Sequence, residues 1–133
     1  SAAGYSALQI ARMLENFPRG FEAASAYRML ATRTPADSDV QAATRLAEEV
    51  GGTRVVQLGE WLQGARFAAA GADTTWFAGN PGSRVARLAI TIDDRADTEH
   101  AAKQFEQVVR ERPHNFTAIA TAAEELLRRL GTR

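Results

Sequence analysis

Gly79-Asn80-Pro81-Gly82-Ser83-Arg84-Val85-Ala86-Arg87-Leu88-Ala89-Ile90-Thr91-Ile92-Asp93-Asp94 is the stretch on which the fold assignment turns. Proline and glycine occupy the two central positions of Asn80–Ser83, where a type II turn wants a fixed φ and then a positive one. Ala86, Leu88, Ile90 and Ile92 follow at period two, with Arg87, Ala89 and Thr91 between them. Such alternation predicts a half-buried strand over about 84–92. Leu88, Ile90 and Ile92 then point inward, and Arg87 and Thr91 look the other way. Asp93 and Asp94 end the run.

The stretches before it carry the same signal. Thr74-Thr75-Trp76-Phe77-Ala78 has strong β-propensity and predicts a strand over 74–78. Gly71-Ala72-Asp73 reads as a short turn. Trp61, Ala65, Phe67 and Ala69 alternate with Arg66 and Ala68, which predicts a strand over about 61–70. Val55, Val56 and Leu58 suggest another over about 53–58. The short connections after Ala70 and Ala78 make the later strands an antiparallel meander. A type II turn has the wrong hand for a tight hairpin, so a wider loop is expected over 79–83.

Helical periodicity governs the two ends. Apolar spacing predicts helices over about 5–16 and 20–32, separated by Pro18-Arg19-Gly20. Thr34-Pro35-Ala36-Asp37 is a helix start, with proline in the first turn and an acid placed to reach back. Val40, Ala43, Ala47 and Val50 form one face, and Gly51-Gly52 offers a stop with positive φ. After Asp94, Asp97 or Thr98 caps a fourth helix with Ala101, Ala102, Phe105, Val108 and Val109 as its buried stripe, and Pro113 stops it. Ile119, Ala122, Ala123, Leu126, Leu127 and Leu130 mark a fifth, beginning at Asn115 or Thr117. Its pairs Glu124–Arg128 and Glu125–Arg129 have the favourable i,i+4 orientation.

The expected fold class is therefore α+β: a four-stranded antiparallel sheet (about 53–58, 61–70, 74–78, 84–92) with three N-terminal and two C-terminal helices packed mainly on one face. Trp61, Phe67, Leu88, Ile90 and Ile92 would face those helices. Arg66, Arg87, Thr91, Ala68 and Ala89 would line the opposite side. A length of 133 residues suits a single domain, 1–133. The chain begins at Ser1, which reads as a mature form or a domain excised from a longer protein.

Composition narrows the classes of function. Sixteen basic residues balance sixteen acidic ones, which argues against a nucleic-acid footprint. All of the basic residues except Lys103 are arginine, a usage that, with the abundant alanine, reads as the codon bias of a GC-rich bacterial genome. The absence of cysteine removes disulfides, thiolate metal sites and a cysteine nucleophile, and leaves the compartment open. No apolar run is long enough to span a bilayer. Glycine-rich phosphate loops, GxSxG and HExxH are all missing.

Two places remain as candidate sites. Arginines among small residues on an open sheet face suit an anionic group or a protein partner, so Arg66, Arg87, Thr91 and Trp76 are the expected binding residues. The expected function is a non-enzymatic ligand-binding or protein-interaction module without cofactor, its partner a protein or a small anion. The second place is Asp93-Asp94-Arg95-Ala96-Asp97-Thr98-Glu99-His100. Asp93, Asp94, Asp97 and His100 there offer a cation or a general base a set of ligands, the alternative being a small metal-dependent enzyme or sensor. Acids at a helix start also serve simply as caps and dipole partners. A structural domain that self-assembles into a homo-oligomer is a third reading. His114, after Pro113, reads as a polar loop residue.

Overall fold

The alternating stretch is a helix. In the computed structural model, which describes residues 2–130, the chain forms α1 (Ala2–Leu14), α2 (Gly20–Ala31), α3 (Asp37–Glu49), α4 (Thr53–Ala70), α5 (Thr74–Gly79), α6 (Gly82–Ile92), α7 (Ala96–Glu111) and α8 (Phe116–Leu130). No strand occurs among the described residues. The expected four-stranded antiparallel sheet is thus corrected to an all-helical fold. The segments 53–58 and 61–70 merge into α4, 74–78 lies in α5, and 84–92 lies in α6.

Two physical reasons account for the correction. In α6 the buried residues are Gly82, Val85, Ala86 and Ala89, while Leu88, Ile90 and Ile92 are only half-buried. Val85 and Ala89 are four apart, and the exposed Arg84, Arg87 and Thr91 fall at i, i+3 and i+7. That is helical spacing, and the β-branched run Ile90-Thr91-Ile92 masks it. Pro81 is the N-cap residue of α6, so Asn80-Pro81-Gly82-Ser83 opens a helix where a hairpin loop was expected. α4 fails differently. Val55, Val56, Leu58, Trp61, Leu62, Gln63, Ala65, Ala68 and Ala69 are all buried, while Thr53, Gln57, Glu60 and Phe67 form the exposed side. With Gln63 buried and Phe67 exposed, polar and apolar residues do not separate cleanly between the two sides, and little amphipathic signature is left to read. Phe67, expected inside, is 53% exposed, and Ala68 and Ala89, expected on the open side, are buried.

The described residues gather into two compact units, 2–60 and 61–130. In the first, α2 packs against α1 and α3. Ile10, Ala11, Met13 and Leu14 of α1 and Ala23, Ala24, Tyr27 and Leu30 of α2 form the core between them. Tyr27 hydroxyl and Thr44 Oγ1 lie 3.1 Å apart and tie α2 to α3. Burial pushes the Tyr27 phenol up, and the bond to Thr44 only partly opposes this. Gly51, at φ +82°, ends α3, and the Gly52 N–H donates to the Ala47 carbonyl at 2.7 Å.

In the second unit α7 packs against both α6 and α8. Trp61 anchors its core, meeting Trp76 edge-on at 5.0 Å and Phe105 at 5.5 Å between ring centroids. Each such pair adds about 1 kcal/mol to simple area burial. Trp76 sits where it does because residue 64 is glycine: a Cβ there would come within 2.8 Å of the indole. Gly82 lets α6 approach α7 in the same way, since a Cβ would meet Val109 Cβ at 3.3 Å and Glu106 Cα at 3.4 Å. No described helix is long and apolar enough to cross a membrane.

Candidate functional site

The four expected binding residues lie on three helices. Arg87 and Thr91 share the exposed face of α6, four residues apart. Arg66 lies on α4, where its guanidinium is paired with Glu124 of α8. Trp76 is half-buried on α5 against Trp61 and Phe77. The intended constellation therefore divides, and only Arg87 and Thr91 stay together.

A third residue, unmarked by the strand reading, joins them. Arg84 precedes Arg87 by three positions and is exposed beside it. α6 has the sequence GSRVARLAITI and carries no acidic residue. Neither arginine has an ion-pair partner among the described residues. Arg28, Arg33, Arg66, Arg95, Arg110, Arg128 and Arg129 all do. α6 is the one helix, among the described residues, with two arginines left unpaired. Residues three apart on a helix lie about 5–6 Å apart at Cβ, so the two forks can engage one carboxylate or neighbouring ones. Thr91 limits the face differently: its hydroxyl donates to the Arg87 carbonyl at 2.8 Å, so its proton is already committed within the helix. Leu88, Ile90 and Ile92 lie half-buried around the pair and supply apolar contact.

The acidic junction is organised around one residue. Asp93 is 8% exposed. Its carboxylate accepts from the Arg95 backbone N–H at 3.0 Å, from Arg95 Nη2 at 2.6 Å and from the Thr98 hydroxyl at 2.8 Å. Arg95 Nη2 also donates to the Arg129 carbonyl at 3.0 Å, which ties the start of α7 to the end of α8. Burial pushes the Asp93 carboxyl up, but the Arg95 side chain, the Arg95 N–H, Thr98 and the Arg95 charge together outweigh it and bring it down to about 2. The N-cap residue of α7 is Arg95, with no side-chain cap bond, so neither Asp97 nor Thr98 caps this helix. Asp97 lies 3.6 Å from Arg129, Asp94 is exposed, and His100 is exposed on the first turns of α7. Among the described residues no three His, Asp or Glu side chains converge as a bound cation requires.

Along α8, Glu125 accepts from both Arg128 and Arg129, at 2.8 Å each. The expected pair Glu125–Arg129 is present, whereas Glu124 turns to Arg66 and Arg128 takes Glu125. Those two arginines draw the Glu125 carboxyl below its ordinary value, through hydrogen bonds first and charge second.

The spacing Arg84–Arg87–Thr91 was the signal that would have found the α6 face directly, because i, i+3, i+7 marks one side of a helix. Comparison with protein-family models, with curated proteins and with solved structures finds no match to this chain.

Proposed function

We propose that this chain is a non-enzymatic interaction module whose outer α6 face receives a partner segment bearing carboxylates. One observation carries the reading: Arg84 and Arg87 stand side by side, exposed and unpaired, on a helix without an acid of its own. Arginine's planar fork binds carboxylates in bidentate fashion, and its weak hydration lowers the cost of docking. Leu88 and its half-buried neighbours add the apolar contact that charge alone does not supply. Arg87 and Thr91 remain in the proposed surface, Arg84 joins it, and Arg66 serves the pairing of α4 with α8.

A fluorescein-labelled panel of acidic, helix-forming peptides tests this by anisotropy. Binding is expected to weaken with added salt and to vanish in Arg84→Glu with Arg87→Glu, while Arg128→Glu leaves it in place. Equal binding by the charge-reversed protein removes α6 from the proposal.

Self-association is the second reading, and a separate feature favours it. Phe21 and Met29, both on α2, are 70% and 61% exposed. Large apolar side chains together on one helix are a common mark of contact surfaces. Sedimentation of the parent chain and of Phe21→Asp with Met29→Asp over a range of concentrations separates the two readings. A concentration-dependent mass that the variant loses supports assembly through α2, and a constant monomer mass ends it.

A further inference from the structure

The second unit also contains a cleft that the α6 proposal does not use. It lies between α5 and the turn joining α7 to α8. Its inner part, about 420 Å³, is lined by Thr74, Thr75, Phe77, Ala78, Val109 and the Pro113-His114 turn. An adjoining, widely open depression of about 630 Å³ shares that turn and continues along it past Arg112 and Phe116. Volumes of this order suit one small organic molecule.

The lining divides by chemistry. Phe77 is 6% exposed and Val109 is buried, and the Phe77 and Phe116 rings lie 6.3 Å apart. These side chains make an apolar floor. Around it stand polar groups that have no bonded partner among the described residues: the Thr74 and Thr75 hydroxyls, the His114 imidazole and the Arg112 guanidinium. The one carboxylate on the rim, Glu111, is already held by Gln107, whose Nε2 donates to it at 3.1 Å. Glu111 keeps its charge, but it makes no ion pair with Arg112, whose guanidinium is the unpaired cation of the cleft among the described residues. An arginine with no bonded acid is best satisfied by a carboxylate, and an adjacent apolar floor favours a ligand with a ring or branched body.

We infer that this cleft binds a small organic carboxylate, its apolar body on Phe77, Val109 and Phe116 and its charged end at Arg112 and His114. The threonine hydroxyls of α5 orient the ligand from the opposite wall. The site is separate from the α6 face, so each stands or falls without the other.

Phenylacetate and its neutral counterpart phenylacetamide are suitable probes, followed by amide chemical shifts of ¹⁵N-labelled full chain. Saturable shifts confined to residues 74–78 and 109–117 are expected, with phenylacetate preferred by about tenfold, one charge-assisted contact's worth. Arg112→Ala should erase that preference and leave phenylacetamide unchanged. Ala78→Trp, at an exposed position on the cleft wall, should abolish binding of both while the helical circular dichroism is retained. The inference is overturned if millimolar phenylacetate gives no shifts or shifts scattered over other helices. It is overturned equally if Arg112→Ala keeps the preference for the acid.

Discussion

Arginine serves two different ends within the second unit. At the start of α7 and along α8 it is locked: Arg95 grips the buried Asp93 and the Arg129 carbonyl, while Arg128 and Arg129 divide Glu125 between them. On α6 it is open: Arg84 and Arg87 have no acid on their own helix and none within reach among the described residues. The residue type is the same, so what differs is the local supply of carboxylates. A paired guanidinium positions helices, and an unpaired one on a half-apolar face is available to something else. This contrast makes stability and binding separable, and each can be perturbed alone.

The largest effect is expected from Asp93→Ala. The substitution strips the buried Thr98 hydroxyl of its acceptor and releases Arg95 from the α7–α8 junction. A loss of about 2–3 kcal/mol follows from a buried hydroxyl left unsatisfied together with a broken charge-assisted contact. Urea unfolding measures it directly. If the loss is no larger than for an ordinary surface substitution, Arg95 is not locking the junction and the contrast with α6 collapses.

Acid titration tests the same lock by another route. The Asp93 carboxyl is held at about 2, against an ordinary value of 3.8. A depressed carboxyl stabilises the fold fully above its unfolded pKa, and the contribution fades as pH falls from about 4 through 2. Some 2 kcal/mol of stability is tied to this one group across that window. Glu99 and Glu125 are lowered too, by Lys103 and by the α8 arginines, and add to the same limb. Unfolding midpoints of Asp93→Asn between pH 5 and 2 should therefore show a shallower acid limb than the parent. An unchanged limb would mean that the carboxylate's setting is no different from water.

Glu125→Gln should act in the same direction and more weakly. Glu125 and Arg129 are half-exposed and Arg128 is exposed, so their pairing contributes little and salt screens it. The expected result is a small drop in thermal midpoint at low ionic strength that disappears in about 1 M salt, where the screening length is only ~3 Å. A drop that survives high salt would place Glu125 with Asp93 among the structural contacts.

How far the sequence discloses this arrangement depends on which periodicity an element displays. The helices at the two ends, with clear stripes such as Ile119, Ala123, Leu126, Leu127 and Leu130, are legible, and so is the Gly51-Gly52 stop. α4 is not, because buried Gln63 and exposed Phe67 blur the contrast between its two sides. α6 is ambiguous for a different reason. A separation of four places residues 87 and 91 on one side of a strand of period two and nearly on one side of a helix of period 3.6. Arg87 and Thr91 therefore share a side under either reading of the element. Arg84, three residues from Arg87, shares a side with it only in a helix, so a strand reading leaves it out. Arg66 and Trp76 were joined to the set only by the sheet, and they left with it. The junction at Asp93 was visible as a cluster of acids, but a short-range lock through Arg95 and Thr98 and a cation site draw on the same residue types.

The remaining comparison concerns the open arginines themselves. Arg84→Ala with Arg87→Ala removes two charges that hold nothing in the folded chain, so stability should change by less than about 0.5 kcal/mol. Loss of two like charges three residues apart relieves a mild repulsion along α6, so any change is expected to be toward greater stability. The same substitutions should reduce association with acidic peptides markedly and flatten its salt dependence. Differential scanning calorimetry and anisotropy on one preparation measure both. A clear loss of stability would show that α6 depends on these side chains for packing, and that would return them to the class of Arg95 and Arg129.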